Sequence, residues 1–523
     1  MQTKKKYGSN IVEGAISLTV SGLIVKFLGL IYKVPLSYML SDEGMGYFNS
    51  AYTVYTFFFI ICTAGVPKAI SILTSEAEGE GDFEKIKNIY RTAFNLFFIL
   101  GSAVTVLFLL LAMPISKMIG NSGAYFTMLA IAPSILFTSA AGVIRGYFNG
   151  KLSFLPIAVS EIIGGASRLF LGLCFAFLGH LLNSSLEMIS ALTILGTTLG
   201  SFFSYMFLLI VKKREKKCVI SRQKNKLFLF SPGIAKRIFA ISIPITLTAT
   251  IGSLNGIIDL AIIMKRLSYA GYSELQSAIF YGNYTTLAIP MLNLILTLIA
   301  PMSMILLPIV SKKNVKHNNA MLSQSISFTV RVLCIIVVPL SFIFLFKSRE
   351  VLSILFEDSS AAIAAPQLAL LAPGILFMCL TTVINTALEG VGKTKVPLVS
   401  LLAASLVKFA ISFILIGNAN FGILGAPIGT TVSYFVSFSV SAFYAIGVEK
   451  IKINFIPSVL PMIFSSMAAV TLSNIIRNLI SFESTLIYVL DIASVMFAYL
   501  IMLLILCRKD IKNILNLSKY TKK

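Results

Sequence analysis

Apolar runs long enough to cross a lipid bilayer recur from one end of this 523-residue chain to the other. A helical span needs ~20 apolar residues at about 1.5 Å of rise each. Read against their Gly, Pro and charge punctuation, the runs predict fourteen membrane helices, near 12–40, 45–74, 90–116, 124–149, 154–180, 187–211, 235–264, 276–310, 321–346, 361–388, 396–417, 422–447, 455–477 and 485–507. Charged residues make up only 12% of the chain, against about 25% in an ordinary soluble domain. No stretch is polar enough to be a soluble domain of its own. The expected fold class is therefore an all-α polytopic membrane protein.

Lys4, Lys5 and Lys6 open the chain, but the apolar run behind them continues to about Leu40 without a small-residue cleavage site. It reads as a first membrane helix and not as a signal peptide. The six cysteines are scattered, mostly within apolar runs where Cys behaves as a small hydrophobe. The two histidines, His180 and His317, fall near loops. No metal site, cofactor or enzymatic centre is expected from this material.

The distribution of Lys and Arg orients the chain in its membrane. With the amino terminus inside, basic residues fall about five to one on the internal side. Both termini are then cytoplasmic, and the net charge of +22 reflects topology, with no nucleic-acid partner implied. The largest hydrophilic break holds Lys212, Lys213, Arg214, Lys216, Lys217, Arg222, Lys224 and Lys226. It reads as a solvated cytoplasmic linker over residues 212–234, lying against anionic lipid headgroups.

That break separates two related halves. Ala132-Pro133-Ser134-Ile135-Leu136-Phe137 recurs as Ala372-Pro373-Gly374-Ile375-Leu376-Phe377, an offset of 240 positions at which Gly150 also meets Gly390. Val66-Pro67 similarly resembles Leu307-Pro308. The repeat unit is six helices, so the halves share an orientation and are related by an axis along the membrane normal. The expected organisation is a six-helix lobe at 1–211, the linker at 212–234, a second lobe at 235–450, and two added helices with a tail at 451–523.

Charges inside spans point to chemistry, because each basic residue at mid-bilayer costs ~2.5–3.5 kcal/mol on insertion scales. Lys26 and Lys33 share one face of the first helix at a spacing of seven, and Lys68 follows Pro67. Arg168 stands near mid-depth on the fifth helix, and Lys408 lies near its repeat equivalent on the eleventh. Such residues are expected around a water-filled cavity between the lobes, where ammonium and guanidinium groups suit phosphates or other acidic groups. The competing expectation is internal ion pairing, for instance Glu161 with Arg168 on their shared face. Asp259 and Asp491 are intramembrane acids that either bind a coupling cation or pair with a nearby Lys. Gly142, Gly146 and Gly150 form a small-residue stripe expected to pack a neighbouring helix closely. Ala387 to Thr394 matches a relaxed phosphate-loop pattern, but it closes a membrane span and precedes Pro397, so it is no nucleotide site.

Several of these segments resemble a known family. Val25-Lys26-Phe27-Leu28-Gly29-Leu30-Ile31-Tyr32-Lys33-Val34-Pro35, Asp42-Glu43-Gly44-Met45-Gly46-Tyr47-Phe48, Thr63-Ala64-Gly65-Val66-Pro67 and Gly390-Val391-Gly392-Lys393-Thr394 look like polysaccharide-biosynthesis transporters. That branch holds stage V sporulation protein B and the lipid II flippases, within the multidrug/oligosaccharidyl-lipid/polysaccharide exporter superfamily. The resemblance implies two lobes, alternating access without ATP hydrolysis, and an undecaprenyl-diphosphate-linked glycan as substrate, for cell-envelope or spore-cortex assembly. Coupling would come from Na+, H+ or the membrane potential, and the protein would act as a monomer. It also implies that Lys26 engages the diphosphate. A second basic position of that helix would fall at Tyr32, beside Lys33, and an eighth-helix arginine near Asn283-Tyr284, where none is present. These departures favour the sporulation or general polysaccharide subgroup. The expected substrate-binding set is Lys26, Lys33, Lys68, Arg168 and Lys408, with Glu161 and Asp259 for ion pairing or coupling. A multidrug exporter and a membrane-embedded transferase are the alternative readings.

Overall fold

The computed structural model describes residues 2–216, 231–296, 319–391, 395–451, 455–478 and 485–506, with single positions between them. The basic segment 217–230, Pro308 and the tail beyond Leu506 lie outside the described residues. The described residues contain helices and no strands, and twelve helices are long and apolar enough to cross a membrane. The first of the twelve, Val20–Gly79, runs for 60 residues. About 20 residues suffice for one crossing. It is broken within α1 (Gln2–Thr63) at Ser41, whose φ of 54° no helix tolerates, and again at Ala64 and Gly65 before α2 (Val66–Gly79). A further helix, α8 (Pro232–Tyr269), adds 38 residues outside that count.

Proline and glycine set most of the helix starts and stops. Pro67, Pro133 and Pro156 stand in the first turns of α2, α5 (Pro133–Gly150) and α6 (Leu155–Leu181), where the missing amide costs nothing. Asp82 caps α3 (Phe83–Ile119) by accepting from the Lys85 amide at 2.9 Å, and Gly120 ends it at φ 71°. A short α4 (Tyr125–Ile131) leads into α5, and α7 (Leu186–Lys216) follows α6.

The chain forms two compact units. The first comprises Met1–Lys265 and Glu274–Gly282, the second Arg266–Ser273 and Asn283–Lys523. The division therefore does not fall at the basic linker. Helix α8 packs with the first unit because Ile238 joins a buried cluster with Ile70, Leu73, Ile144 and Tyr147. Arg237 also pairs with Glu76 at 2.7 Å. Gly65 makes the approach possible: a Cβ there would lie within van der Waals overlap of the Ser242 carbonyl. Helix α7 likewise continues through the start of the expected linker. Lys212 is buried, with its ammonium over the rings of Tyr90 and Tyr147, while Glu215 pairs with Lys151 at 2.9 Å. Apolar stem and cation both find partners on the lobe, so Lys212 is not solvated as its sequence context suggested.

In the first unit the glycine stripe of α5 does what its spacing predicts. A Cβ on Gly146 would sit 2.8 Å from the Pro67 carbonyl, and one on Gly150 2.7 Å from that of Ser71, so α5 and α2 touch backbone to backbone.

The second unit contains α9 (Glu274–Asn283) from Asn283 onward, with a π-turn over Tyr284–Ala288. It continues with α10 (Asn319–Phe346), α11 (Ser348–Ser353), α12 (Asp358–Gly390), α13 (Lys395–Ile416), α14 (Gly425–Phe443), α15 (Phe455–Asn478) and α16 (Thr485–Leu506). One local contact recurs at the two copies of the repeated motif. Thr198 of α7 donates its hydroxyl to the Ala130 carbonyl at 2.7 Å, and Thr431 of α14 donates to the Leu370 carbonyl at 2.6 Å. Each carbonyl lies three residues before the proline of its Ala-Pro-x-Ile-Leu-Phe segment. Both segments end on the paired glycines, Gly150 closing α5 and Gly390 closing α12.

Candidate anion-binding site

Arg168 lies midway along α6, which packs α1 on one side and α7 on the other. Close packing against α7 rests on glycine: a Cβ on Gly196 would stand 2.4 Å from the Gly172 amide nitrogen and 3.1 Å from the Arg168 carbonyl. On the α1 side a Cβ on Gly165 would reach Val25 and Leu28 at 3.5 Å, and Gly172 lies against the Tyr32 ring. These contacts hold the Arg168 guanidinium among phenols. Its Nη1 donates to the Tyr52 hydroxyl at 3.4 Å, and the guanidinium is 5.0 Å from the Tyr52 ring and 5.4 Å from that of Tyr32. Among the described residues its Nε and the buried Tyr32 hydroxyl have no hydrogen-bond partner. Lys33, half-buried, is within electrostatic reach of Arg168.

Arg168 therefore sits among three phenols, Tyr32, Tyr52 and Tyr55, and among the described residues it makes no salt bridge. Glu161 does not neutralise Arg168, although the spacing of seven puts both on one face of α6. Its basic neighbour is Arg145 of α5. The side chain at 168 turns toward α1, where the aromatic rings offer cation–π contacts.

The remaining expected residues are more dispersed. Lys26 and Lys68 are exposed, Lys26 two turns before Lys33 on α1 and Lys68 in the first turn of α2. Asp259 is half-buried on α8. Lys408 is half-buried in the second unit, at the repeat equivalent of Arg168. The equivalence extends to the backbone. A Cβ on Gly429 of α14 would lie 3.4 Å from the Lys408 carbonyl, as one on Gly196 would lie 3.1 Å from that of Arg168. The structure thus places Lys33 within electrostatic reach of Arg168 in the first unit.

Asp491 is no cation site. It is 7% exposed, accepts from Lys347 Nζ at 2.7 Å and from Ser473, and stands 3.6 Å from Arg477, which also bonds Glu350. Lys393 of the relaxed phosphate-loop pattern pairs with Glu449 at 3.1 Å, and that hydrogen bond holds the ammonium above the ordinary lysine range. The segment is a helix end, as its proline predicted.

Sequence reading missed Arg145. It lies five residues before the end of α5, where a cation also fits the orientation rule. Its Nε donates to Ser160 Oγ at 3.3 Å and its Nη2 to Ser204 Oγ at 3.0 Å. A usable signal was present: Arg145 interrupts the Gly142-Gly146 stripe, so it must point away from α2, into the lobe.

The twelve helices long and apolar enough to cross a membrane, with the family match below, identify a polytopic membrane protein of the multidrug/oligosaccharidyl-lipid/polysaccharide exporter superfamily. The chain belongs to the polysaccharide biosynthesis protein family, whose sequence pattern matches residues 11–314, while the MatE pattern matches 285–414. It is 25% identical to stage V sporulation protein B of Bacillus subtilis (strain 168), over 80% of each chain. It is 23% identical to lipid II flippase MurJ of the same organism, over 82% of each chain. Its fold matches a solved structure of lipid II flippase MurJ in an inward closed conformation with a TM-score of 0.68 at 16% identity, covering 95% of this chain and all of that one.

Proposed function

We propose that this protein translocates an anionic, undecaprenyl-diphosphate-linked oligosaccharide across the cytoplasmic membrane by alternating access, in cell-envelope or spore-cortex assembly. One observation carries the reading: the Arg168 guanidinium is held at mid-helix among the phenols of Tyr32 and Tyr52, makes no salt bridge among the described residues, and has Lys33 within electrostatic reach. Two such cations cost several kcal/mol to bury, and an arriving diphosphate offsets that cost with charge-assisted hydrogen bonds. The Arg168 Nε and Tyr32 hydroxyl are donors already in place for its oxygens. Family membership and the relatives named for sporulation and lipid II flipping support the same substrate class. On this reading the termini are cytoplasmic, the basic linker meets anionic lipid, Lys26, Lys68 and Lys408 assist the anion along its route, and Asp259 or Glu161 couples Na+ or H+.

The MatE match over residues 285–414 favours a multidrug exporter as the second reading. That activity calls for acids facing cationic drugs, whereas Arg168, which makes no salt bridge among the described residues, presents a positive charge.

The test is reconstitution of the purified chain in proteoliposomes carrying a fluorescent lipid-linked oligosaccharide on one leaflet. Arg168→Ala lowers the rate of leaflet exchange at least tenfold, about 1.4 kcal/mol, at equal insertion. Undiminished exchange by that variant overturns the proposal. Drug resistance on expression, without exchange of the labelled lipid, would establish the second reading instead.

A further inference from the structure

Arg145 is a further half-buried guanidinium of the first unit, and nothing described so far uses it. Its two hydrogen bonds go to neutral serine hydroxyls, Ser160 on α6 and Ser204 on α7. Those serines are 0% and 3% exposed, and Ser160 Oγ donates in turn to the Ile157 carbonyl at 2.7 Å, which fixes its acceptor lone pairs toward the arginine. Among the described residues Arg145 makes no ion pair. Glu161, the next residue after Ser160, is near enough to act on it electrostatically, yet it forms no salt bridge with it. The arrangement holds a fork of donors rigidly while leaving its charge open.

Position matters as much as charge. Ser160 and Arg168 are eight residues apart on α6, about 12 Å along its axis at 1.5 Å per residue. The two guanidinium groups are thus arrayed along one helix, one at its first third and one at its middle. A structural arginine would be expected to close on Glu161, because an uncompensated charge at this depth is costly. Planar guanidinium instead presents a pattern that phosphate oxygens match.

We propose that Arg145, positioned by Ser160 and Ser204, is a second station for phosphate oxygens, with Glu161 as the carboxylate that competes with the bound anion. The proposal rests on the anion-translocating reading above and adds a site to it. An anion reaching this station displaces the influence of Glu161, and Lys33 with Arg168 forms the next station along α6.

The competition gives the test its sign. If Arg145 merely balances Glu161, removing either charge harms the protein in the same way. If Arg145 receives an anion, removing the Glu161 charge strengthens binding. Farnesyl diphosphate is titrated by calorimetry into the full-length protein in nanodiscs, for the wild type, Arg145→Gln, Glu161→Gln and Arg168→Gln. Expected results are about tenfold weaker binding for Arg145→Gln and roughly threefold tighter binding for Glu161→Gln. Wild-type affinity in Arg145→Gln, or weakened binding in Glu161→Gln, overturns the second station. If Arg145→Gln does not fold, the Glu161→Gln arm decides alone. Arg168→Gln separates the two claims: lost binding there with wild-type binding in Arg145→Gln removes only the second station, whereas wild-type binding in both removes the translocation reading as well.

Discussion

The ion cluster that fastens the last two helices to the second unit allows a quantitative test. Lys347 is 1% exposed and Asp491 7%, and they meet at 2.7 Å. Removing one member of a buried pair leaves the other desolvated and uncompensated, which costs about 3–5 kcal/mol. Asp491→Leu belongs at the upper end of that range, because the Lys347 ammonium then loses its carboxylate. Lys347→Met belongs at the lower end, because Asp491 retains Ser473 and keeps Arg477 at 3.6 Å. For a unit of this size, about 3–5 kcal/mol lowers Tm by on the order of 6–20 °C, at about 2–4 °C per kcal/mol. The chain has no tryptophan, so unfolding is best followed with a thiol-reactive fluorophore. Cys334 and Cys379 are buried in the second unit and Cys62 in the first. Cys174, Cys218 and Cys507 are changed to Ser beforehand so that only buried thiols report. The double variant Lys347→Met/Asp491→Leu recovers most of the loss, since an apolar pair of similar volume replaces a buried ion pair at little cost. Unchanged Tm in both single variants, or a double variant that melts lower than either, would refute the claim that the pair is desolvated and coupled.

Further outcomes follow from the same geometry. Gly196→Val prevents close packing of α6 on α7 and abolishes folded protein on gel filtration, because the new side chain would overlap Gly172. Gly79→Ala, where a Cβ meets nothing within 4 Å, leaves Tm unchanged or raises it slightly. Lys212→Met lowers Tm by a few degrees at most, as it keeps the apolar stem between Tyr90 and Tyr147 and loses the cation–π contacts. Its exposure in a solvated linker would predict no change at all. For Lys151, burial pulls the ammonium pKa down, but hydrogen bonds to Tyr147 and Glu215 outweigh it and hold the value above the ordinary lysine range. A raised folded pKa means that this stabilisation is complete below the ordinary lysine value and is lost as pH rises through the folded one. Melting curves between pH 6 and 9 should therefore show no step that Lys151→Met removes.

Membrane residence, the helical class and the α5–α2 contact were legible because each depends on a pattern that hydrocarbon or close packing imposes locally. Apolar length marks a span, and Gly142, Gly146 and Gly150 mark a backbone approach. Charge assignments transferred less well. Glu161 and Arg168 share a helix face, yet cation–π contacts with Tyr32 and Tyr52 draw the arginine away, a preference that only the neighbouring α1 reveals. Lys212 reads as a linker cation, because the rings of Tyr90 and Tyr147 that receive it lie on helices far away in the sequence. Arg145 is equally ambiguous in sequence, because a cation near a helix end satisfies the orientation rule whatever its partners are.

The repeat shows why scaffold and chemistry differ in legibility. An offset of 240 brings Gly150 onto Gly390, Pro133 onto Pro373 and Arg168 onto Lys408. At each of the last pair the cation's own carbonyl faces a glycine of the following helix, Gly196 or Gly429. Thr198 and Thr431 repeat one hydrogen bond to the carbonyls of Ala130 and Leu370. These are backbone requirements, and backbone requirements leave glycine, proline and threonine at fixed spacing in both halves. The same offset carries Arg145 onto Asn385, a neutral amide whose Oδ1 accepts from Ser441 at 2.8 Å. A helix frame tolerates that exchange, because either side chain finds serine hydroxyls to satisfy it. Its electrostatics does not, because a guanidinium calls for an anion and an amide does not. The duplicated frame is therefore compatible with unlike halves, in which the positions of Arg145 and Arg168 in the first unit correspond to Asn385 and Lys408 in the second.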